Sequence, residues 1–354
     1  MTELPVRYLP TGKVANGGFG SVSFCTDTNL DRLVAIKSIQ DAQELSRLMD
    51  EISALMAMRS NHVVQVYDLL FDNDTPTGII EEFISGMDLL ESSEPQASIE
   101  NYLRTLWQLA AGLSDIHAHG IIHRDIKPNN MKLDDEGVLK IFDFGLSRFA
   151  DPDAGTVGFK GTFYFAAPEL FVDGKVSFTQ AVDVYAFGAT ACYLADKSLP
   201  SGFSKSPPDP APADAFSSKQ IGIPDELSSL FLECLAHDPV QRPSMAFVRD
   251  SIAKYLLKDK HQALAVFGNA PQYLNKSNKS VTLNLGNIGA AVIAYDGLRF
   301  YVQSVSGEVL INNSVVAAND EMPGSCVVAL GAATRHYTER AFITFDISHP
   351  EVLL

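Results

Sequence analysis

The sequence predicts an α+β chain, and three changes of pattern along it carry that expectation. Residues 6–40 alternate in strand fashion around a glycine-rich turn. From Ile99 to about Leu257 the apolar residues recur at helical spacing, and after Lys260 short strands alternate with turns. A length of 354 residues suggests about two domains.

Taken in order, Val22-Ser23-Phe24 and Arg32-Leu33-Val34-Ala35-Ile36-Lys37-Ser38-Ile39 read as strands flanking the turn. Leu45, Leu48, Ile52 and Leu55 then line one face of a helix. Val63 to Phe71 and Thr77 to Ile84 read as two more strands, giving a small sheet with one helix packed on it. Tyr102 to His117 and Ala181 to Ala195 are the clearest helices that follow. Five prolines within the 13 residues Pro200 to Pro212 mark irregular surface, a solvated connector or a docking loop. Val281–Leu285, Ala291–Tyr295, Phe300–Val305, Val309–Ile311, Cys326–Leu330 and Phe342–Phe345 predict a final all-β domain. No internal repeat is visible.

Composition narrows the class. A hydrophobic share of 46% with 20% charged residues is that of a globular protein with a sizeable core. The net charge of −16 argues against a nucleic-acid surface and against docking on anionic lipid, and suits solubility. Cys25, Cys192, Cys234 and Cys326 are scattered without metal-ligand spacing, as expected of buried thiols in a reducing interior. Met1-Thr2-Glu3-Leu4-Pro5 lacks the basic and apolar regions of a signal peptide, and no run reaches the length of a membrane span. A cytoplasmic location with no membrane partner is the expectation.

The chemistry is concentrated in His123-Arg124-Asp125-Ile126-Lys127-Pro128-Asn129-Asn130 and in Asp143-Phe144-Gly145. Moving a phosphoryl group requires in-line positioning and neutralised charge more than covalent help. Asp125 can accept a proton from an incoming hydroxyl, and Lys127 can steady the phosphate. Asn130 and Asp143 offer hard oxygens to Mg²⁺.

These residues resemble the catalytic loop and metal-binding motif of protein kinases, and further motifs fall in the order that family has them. Ala15-Asn16-Gly17-Gly18-Phe19-Gly20-Ser21-Val22 looks like a glycine-rich phosphate loop with Ala15 in place of the first glycine. Val34-Ala35-Ile36-Lys37 follows, and the resemblance implies that Lys37 pairs with Glu51, in preference to Glu44, to hold the α- and β-phosphates. Ile79 to Leu89 looks like the hinge; backbone groups of Glu82 and Ile84 would then bond adenine and Asp88 would reach the ribose. Two departures stand out, Glu81 where most kinases carry an apolar residue and Lys132 where an apolar side chain floors the adenine pocket. Gly161-Thr162-Phe163-Tyr164-Phe165-Ala166-Ala167-Pro168-Glu169 resembles the segment that meets the peptide substrate; Glu169 would pair with Arg242, and Asp183 would hold the catalytic loop.

The resemblance covers about residues 8–257. It implies a bilobal fold, with a β-rich N-lobe over about 8–88 and a helical C-lobe over about 89–257, in a domain reaching residue 260. Mg²⁺ and ATP are the implied cofactors and protein substrates the implied partners. Lys127 and the Gly161-Thr162 pair resemble serine/threonine kinases, in which Thr162 would contact Asp125 and Lys127. Arg124 beside Asp125 resembles kinases ordered by a phosphate on the activation loop, with Thr156 as a phosphoacceptor or a plain solvated residue. A scaffold without turnover and a small-molecule kinase are the alternatives. Residues 261–354 resemble the late strands of a forkhead-associated β-sandwich but lack its Gly-Arg and Ser-x-x-His phosphate signatures. A structural or protein-docking sandwich is therefore expected there rather than a phosphopeptide reader.

Overall fold

The computed structural model describes all residues except 1–3, 18–19, 39–44, 87, 91–97, 150–154, 158–162, 172–174, 218–220, 269, 349–351 and 353–354. It divides into two compact units, Met1–Ile252 with Leu354, and Ala253–Leu353.

In the first unit, strands β1 (Tyr8–Gly17), β2 (Gly20–Asp27) and β3 (Arg32–Ser38) precede helix α1 (Leu45–Met56), followed by β4 (Val66–Asp72) and β5 (Thr75–Glu82). The five strands form one antiparallel sheet in the order β1-β2-β3-β5-β4. Tyr8, Cys25, Val34, Ile36, Leu70 and Ile80 make a core on one of its faces. The strand expected from Val63 begins instead at Val66. Val63 forms a lone parallel bridge to Ile141, because residues 62–64 pair with a strand of the C-lobe and not with the N-lobe sheet. The β5 ladder likewise stops at Glu82, short of Ile84.

Helix α2 (Ile99–Ala118) opens on Ser98, whose hydroxyl accepts the Asn101 N–H at 3.2 Å, a side-chain cap for an otherwise orphan donor. Five short strands follow, β6 (Ile121–Ile122), β7 (Met131–Leu133), β8 (Leu139–Ile141), β9 (Arg148–Phe149) and β10 (Gly155–Val157), and then β11 (Lys175–Ser177). They pair as β6-β9, β7-β8 and β10-β11. Helix α3 (Ala181–Asp196) buries residues on every side, as a helix through the middle of a lobe must. Helices α4 (Asp225–Cys234) and α5 (Met245–Leu256) complete the run.

The second unit contains β12 (Ala263–Phe267), β13 (Ala270–Leu274), β14 (Ser280–Leu285), β15 (Gly289–Tyr295), β16 (Phe300–Gly307), β17 (Val309–Ile311), β18 (Ser314–Val315), β19 (Ser325–Leu330) and β20 (Ala341–Ile347). One sheet runs β13-β12-β20-β19-β17-β18 and the other β14-β15-β16. Leu274, Leu283, Ile293, Val328, Ile343 and Phe345 belong to a core that draws on both. Strands β12 and β13 precede Val281–Leu285, the first strand expected in this region from the sequence pattern. Pro271 is accommodated because β13 is an edge strand, where a missing N–H breaks no ladder.

Candidate active site

Strand register builds the upper wall of the site. Lys37 pairs with Val22 on one side and Ile79 on the other, and Ala35 pairs with Phe24 and Glu81. Since alternate residues share a face, Val22, Phe24, Ala35, Lys37 and Glu81 all line the same side of the sheet. At the hairpin tip Ala15 faces Val22, Asn16 faces Ser21 and Gly17 faces Gly20. Gly18 and Phe19 lie outside the described residues.

The apolar stripe Leu48, Ile52 and Leu55 buries one face of α1 and turns Glu51 inward with it. Both Glu51 carboxylate oxygens lie 2.8 Å from Lys37 Nζ, and Asp143 Oδ1 lies 3.1 Å from the same nitrogen. Burial alone would lower the Lys37 pKa, but the charges of Glu51, Asp143 and Glu81 overcome it and raise it. Asp143 is the mirror case: burial would raise its pKa, and Lys37 brings it below the usual value. Its backbone adopts a left-handed φ of 66°, and the next N–H, that of Phe144, donates to Glu51 at 3.2 Å. Phe144 is fully buried with its ring 4.6 Å from His123. Asp143 is thus held from both sides.

Asp125, Lys127 and Asn130 meet in one loop. Lys127 Nζ is 2.7 Å from Asp125 Oδ2, and the Asn130 amide donates to the Asp125 carbonyl at 2.8 Å and to its carboxylate at 2.9 Å. The loop hangs from Asp183 on α3, which accepts the His123 and Arg124 N–H groups, each at 2.8 Å. His117 Nε2 lies 3.0 Å from the same carboxylate, a partner the sequence did not suggest. These bonds hold Arg124 at φ 71°, and its guanidinium lies 3.6 Å over the Phe178 ring. Below, Arg242 grips Glu169 with two bonds of 2.7 and 2.8 Å, its side chain fully buried.

The amide nitrogen of Asn130 is spent on Asp125, which leaves its Oδ1 as the side chain's hard oxygen, and its backbone carbonyl accepts the N–H of Phe142, the residue before Asp143, at 3.0 Å. Among the described residues no three His, Cys, Asp or Glu side chains form a metal cage. One amide oxygen and one carboxylate suit Mg²⁺, which completes its shell with phosphate and water oxygens.

The segment expected to meet the base, Ile79 to Leu89, borders this cluster through Glu81. The Glu82 carboxylate points to Lys140 at 2.9 Å, and its N–H donates to the Gln65 carbonyl at 2.8 Å. Beyond Ile84, Gly86 turns at φ 83°, where a Cβ would strike the Leu133 carbonyl oxygen. Asp88 forms a backbone bridge to Lys132 and caps the Leu90 N–H at 3.0 Å. Glu81 is buried with its Oε1 lacking a hydrogen bond, and burial with the neighbouring Glu51 charge pushes its pKa up to about 8. Thr162 lies outside the described residues, and the Thr156 backbone pairs with Val176 in β10-β11.

Comparison with known proteins bears on the same stretch. The chain is 30% identical over 207 residues to mitogen-activated protein kinase 14 of Xenopus laevis, covering 55% of each. It is 32% identical over 207 residues to mitogen-activated protein kinase 12 of Danio rerio, covering 56% of this chain and 55% of that one. Mitogen-activated protein kinase kinase kinase YODA of Arabidopsis thaliana is 29% identical over 248 residues, 66% of this chain and 28% of YODA. The chain spans about half the length of the first two and less than a third of the last. The family described as protein kinase domain matches residues 8–252, more than half the chain and the whole of the site above; the chain belongs to the protein kinase family.

Proposed function

We propose that the chain is a serine/threonine protein kinase that transfers the γ-phosphate of Mg·ATP to protein hydroxyls. The observations that carry the proposal are the sets Glu51–Lys37–Asp143 and Asp125–Lys127–Asn130, tied to each other by the Phe142 N–H on the Asn130 carbonyl and by the Lys127 charge acting on Asp143. Lys37, anchored by Glu51, holds phosphate oxygens, while Asn130 and Asp143 hold Mg²⁺. The metal and nucleotide together supply the transferable group and neutralise its charge. Asp125 positions the acceptor hydroxyl and takes its proton, and Lys127 screens the charge of the transferred group. Residues 15–22 cover the phosphates, and Val22, Ala35, the Glu82 and Ile84 backbone and Asp88 receive the nucleoside. The kinase domain runs to about residue 260, and autophosphorylation falls between residues 146 and 162, with Thr156 the foremost acceptor.

Residues 261–354 act as a forkhead-associated-like β-sandwich for stability, autoinhibition or partner docking. Arg335 and Arg299 there already face carboxylates, Glu308 and Asp296 respectively. A cytoplasmic setting fits the reading; among the described residues no helix is long and apolar enough to cross a membrane. The deciding experiment measures Mg²⁺-dependent incorporation of labelled phosphate into the chain and a generic protein. Transfer by the native chain and its loss in Asp125→Asn are expected; no incorporation with intact folding would favour a scaffold.

A further inference from the structure

Strand β8 is buried at all three positions, yet its middle residue is Lys140. The Lys140 ammonium lies 2.9 Å from Glu82 Oε1 and 3.1 Å from Oε2, with side chains 8% and 21% exposed. Glu82 is the last residue of β5, where the chain leaves the N-lobe sheet, and Lys140 lies three residues before Asp143.

The surroundings make this a junction of three segments. Gln65 and Glu82 exchange bonds, the Gln65 N–H donating to the Glu82 carboxylate at 3.3 Å and the Glu82 N–H to the Gln65 carbonyl at 2.8 Å. Val64 N–H donates to the Ile141 carbonyl and Ile141 N–H to the His62 carbonyl, each at 2.9 Å. On the far side the Leu139 N–H donates to Gln108 at 2.8 Å. The ion pair is the side-chain link between the end of β5 and the strand that leads to Asp143.

Stability does not account for it. Desolvating two charges offsets most of their attraction, and apolar residues of like volume commonly serve a buried position as well or better. What the pair adds is a fixed distance, since shape-filling residues permit sliding that a two-oxygen grip on one ammonium resists.

We propose that Glu82 and Lys140 are positioning residues for the nucleotide, clamping the segment that meets the base to the strand that presents Asp143 to the metal and phosphates. Both ends of one ligand then meet groups set at a constant separation, which lowers the ordering cost of binding. The inference rests on the nucleotide reading of the site given above.

A mutant cycle tests it, with Mg·ADP affinity measured by titration calorimetry and folding checked by circular dichroism. Glu82→Gln and Lys140→Met are each expected to weaken Mg·ADP about tenfold, a usual size for residues that act on a site through others. The double variant is expected to lose no more than either single one, and to raise KM for ATP while leaving KM for the protein acceptor unchanged. Folded variants with native affinity, or losses that multiply to about a hundredfold, would overturn the clamp. Should Lys140→Met fail to fold, Lys140→Arg replaces it: near-native affinity with Arg beside loss with Glu82→Gln is expected, and equal affinities refute the proposal. A native chain that binds no Mg·ADP would instead refute the nucleotide reading itself.

Discussion

Glu81→Gln isolates a carboxyl on the site face of the sheet whose buried Oε1 makes no hydrogen bond. The change is nearly isosteric and removes only the ability to ionise. In the folded chain burial, and then the Glu51 charge, push this carboxyl up to about 8, with Lys37 pulling the other way and Asp143 adding to the rise. In the unfolded chain it returns to its ordinary value near 4.5. Between those limits the folded state keeps a proton that the unfolded state has released, so stability falls as pH rises. The slope approaches about 1.4 kcal/mol per pH unit, a loss on the order of 4 kcal/mol between about pH 5 and 8. Below the lower limit the contribution is fully present, and above the upper it is gone. Glutamine carries no such dependence. Urea unfolding of both chains at constant ionic strength, in steps from about pH 5 to 9, should show the variant gaining on the native protein up to about pH 8 and then levelling. A stability difference that stays flat across that range would refute the account of Glu81 as a desolvated acid among Lys37, Glu51 and Asp143.

Three other outcomes follow from the same geometry. Lys37→Ala and Asp143→Ala should each abolish phosphoryl transfer at saturating Mg·ATP in a folded protein; retained turnover in either would sink the assigned roles. Mass spectrometry of active protein should find phosphate within residues 146–162, and Thr156→Ala should slow transfer to other proteins; an unmodified segment in a fully active sample would leave Thr156 a solvated residue. The full chain should bind phosphothreonine peptides no better than their unphosphorylated forms. Selective binding near micromolar, about −8 kcal/mol, that maps to residues 262–354 and vanishes on phosphatase treatment would contradict that.

Sequence alone determined what depends on neighbours a few positions apart. The spacing of Asp125, Lys127 and Asn130 confines all three to one loop, and they meet within 3 Å through bonds that span two or five positions. The alternation through Val34-Ala35-Ile36-Lys37 sets which residues share a sheet face, and the stripe Leu48, Ile52, Leu55 sets which side of α1 is buried; both are properties of a local repeat. Tertiary structure decided the pairings that cross long stretches of chain. Lys37 reaches Asp143 across 106 positions and Glu82 reaches Lys140 across 58, and periodicity carries no information about such distances. Nor could it tell that Phe178 would lie under Arg124 or His117 beside Asp183, since an aromatic ring and a helix-end histidine fit many surroundings equally well. Glu81 makes the difference plainest. Its place on the site face follows from strand register, but its charge state depends on how much water the packed lobes exclude and on which charges they bring near, and both are fixed only when the chain has folded.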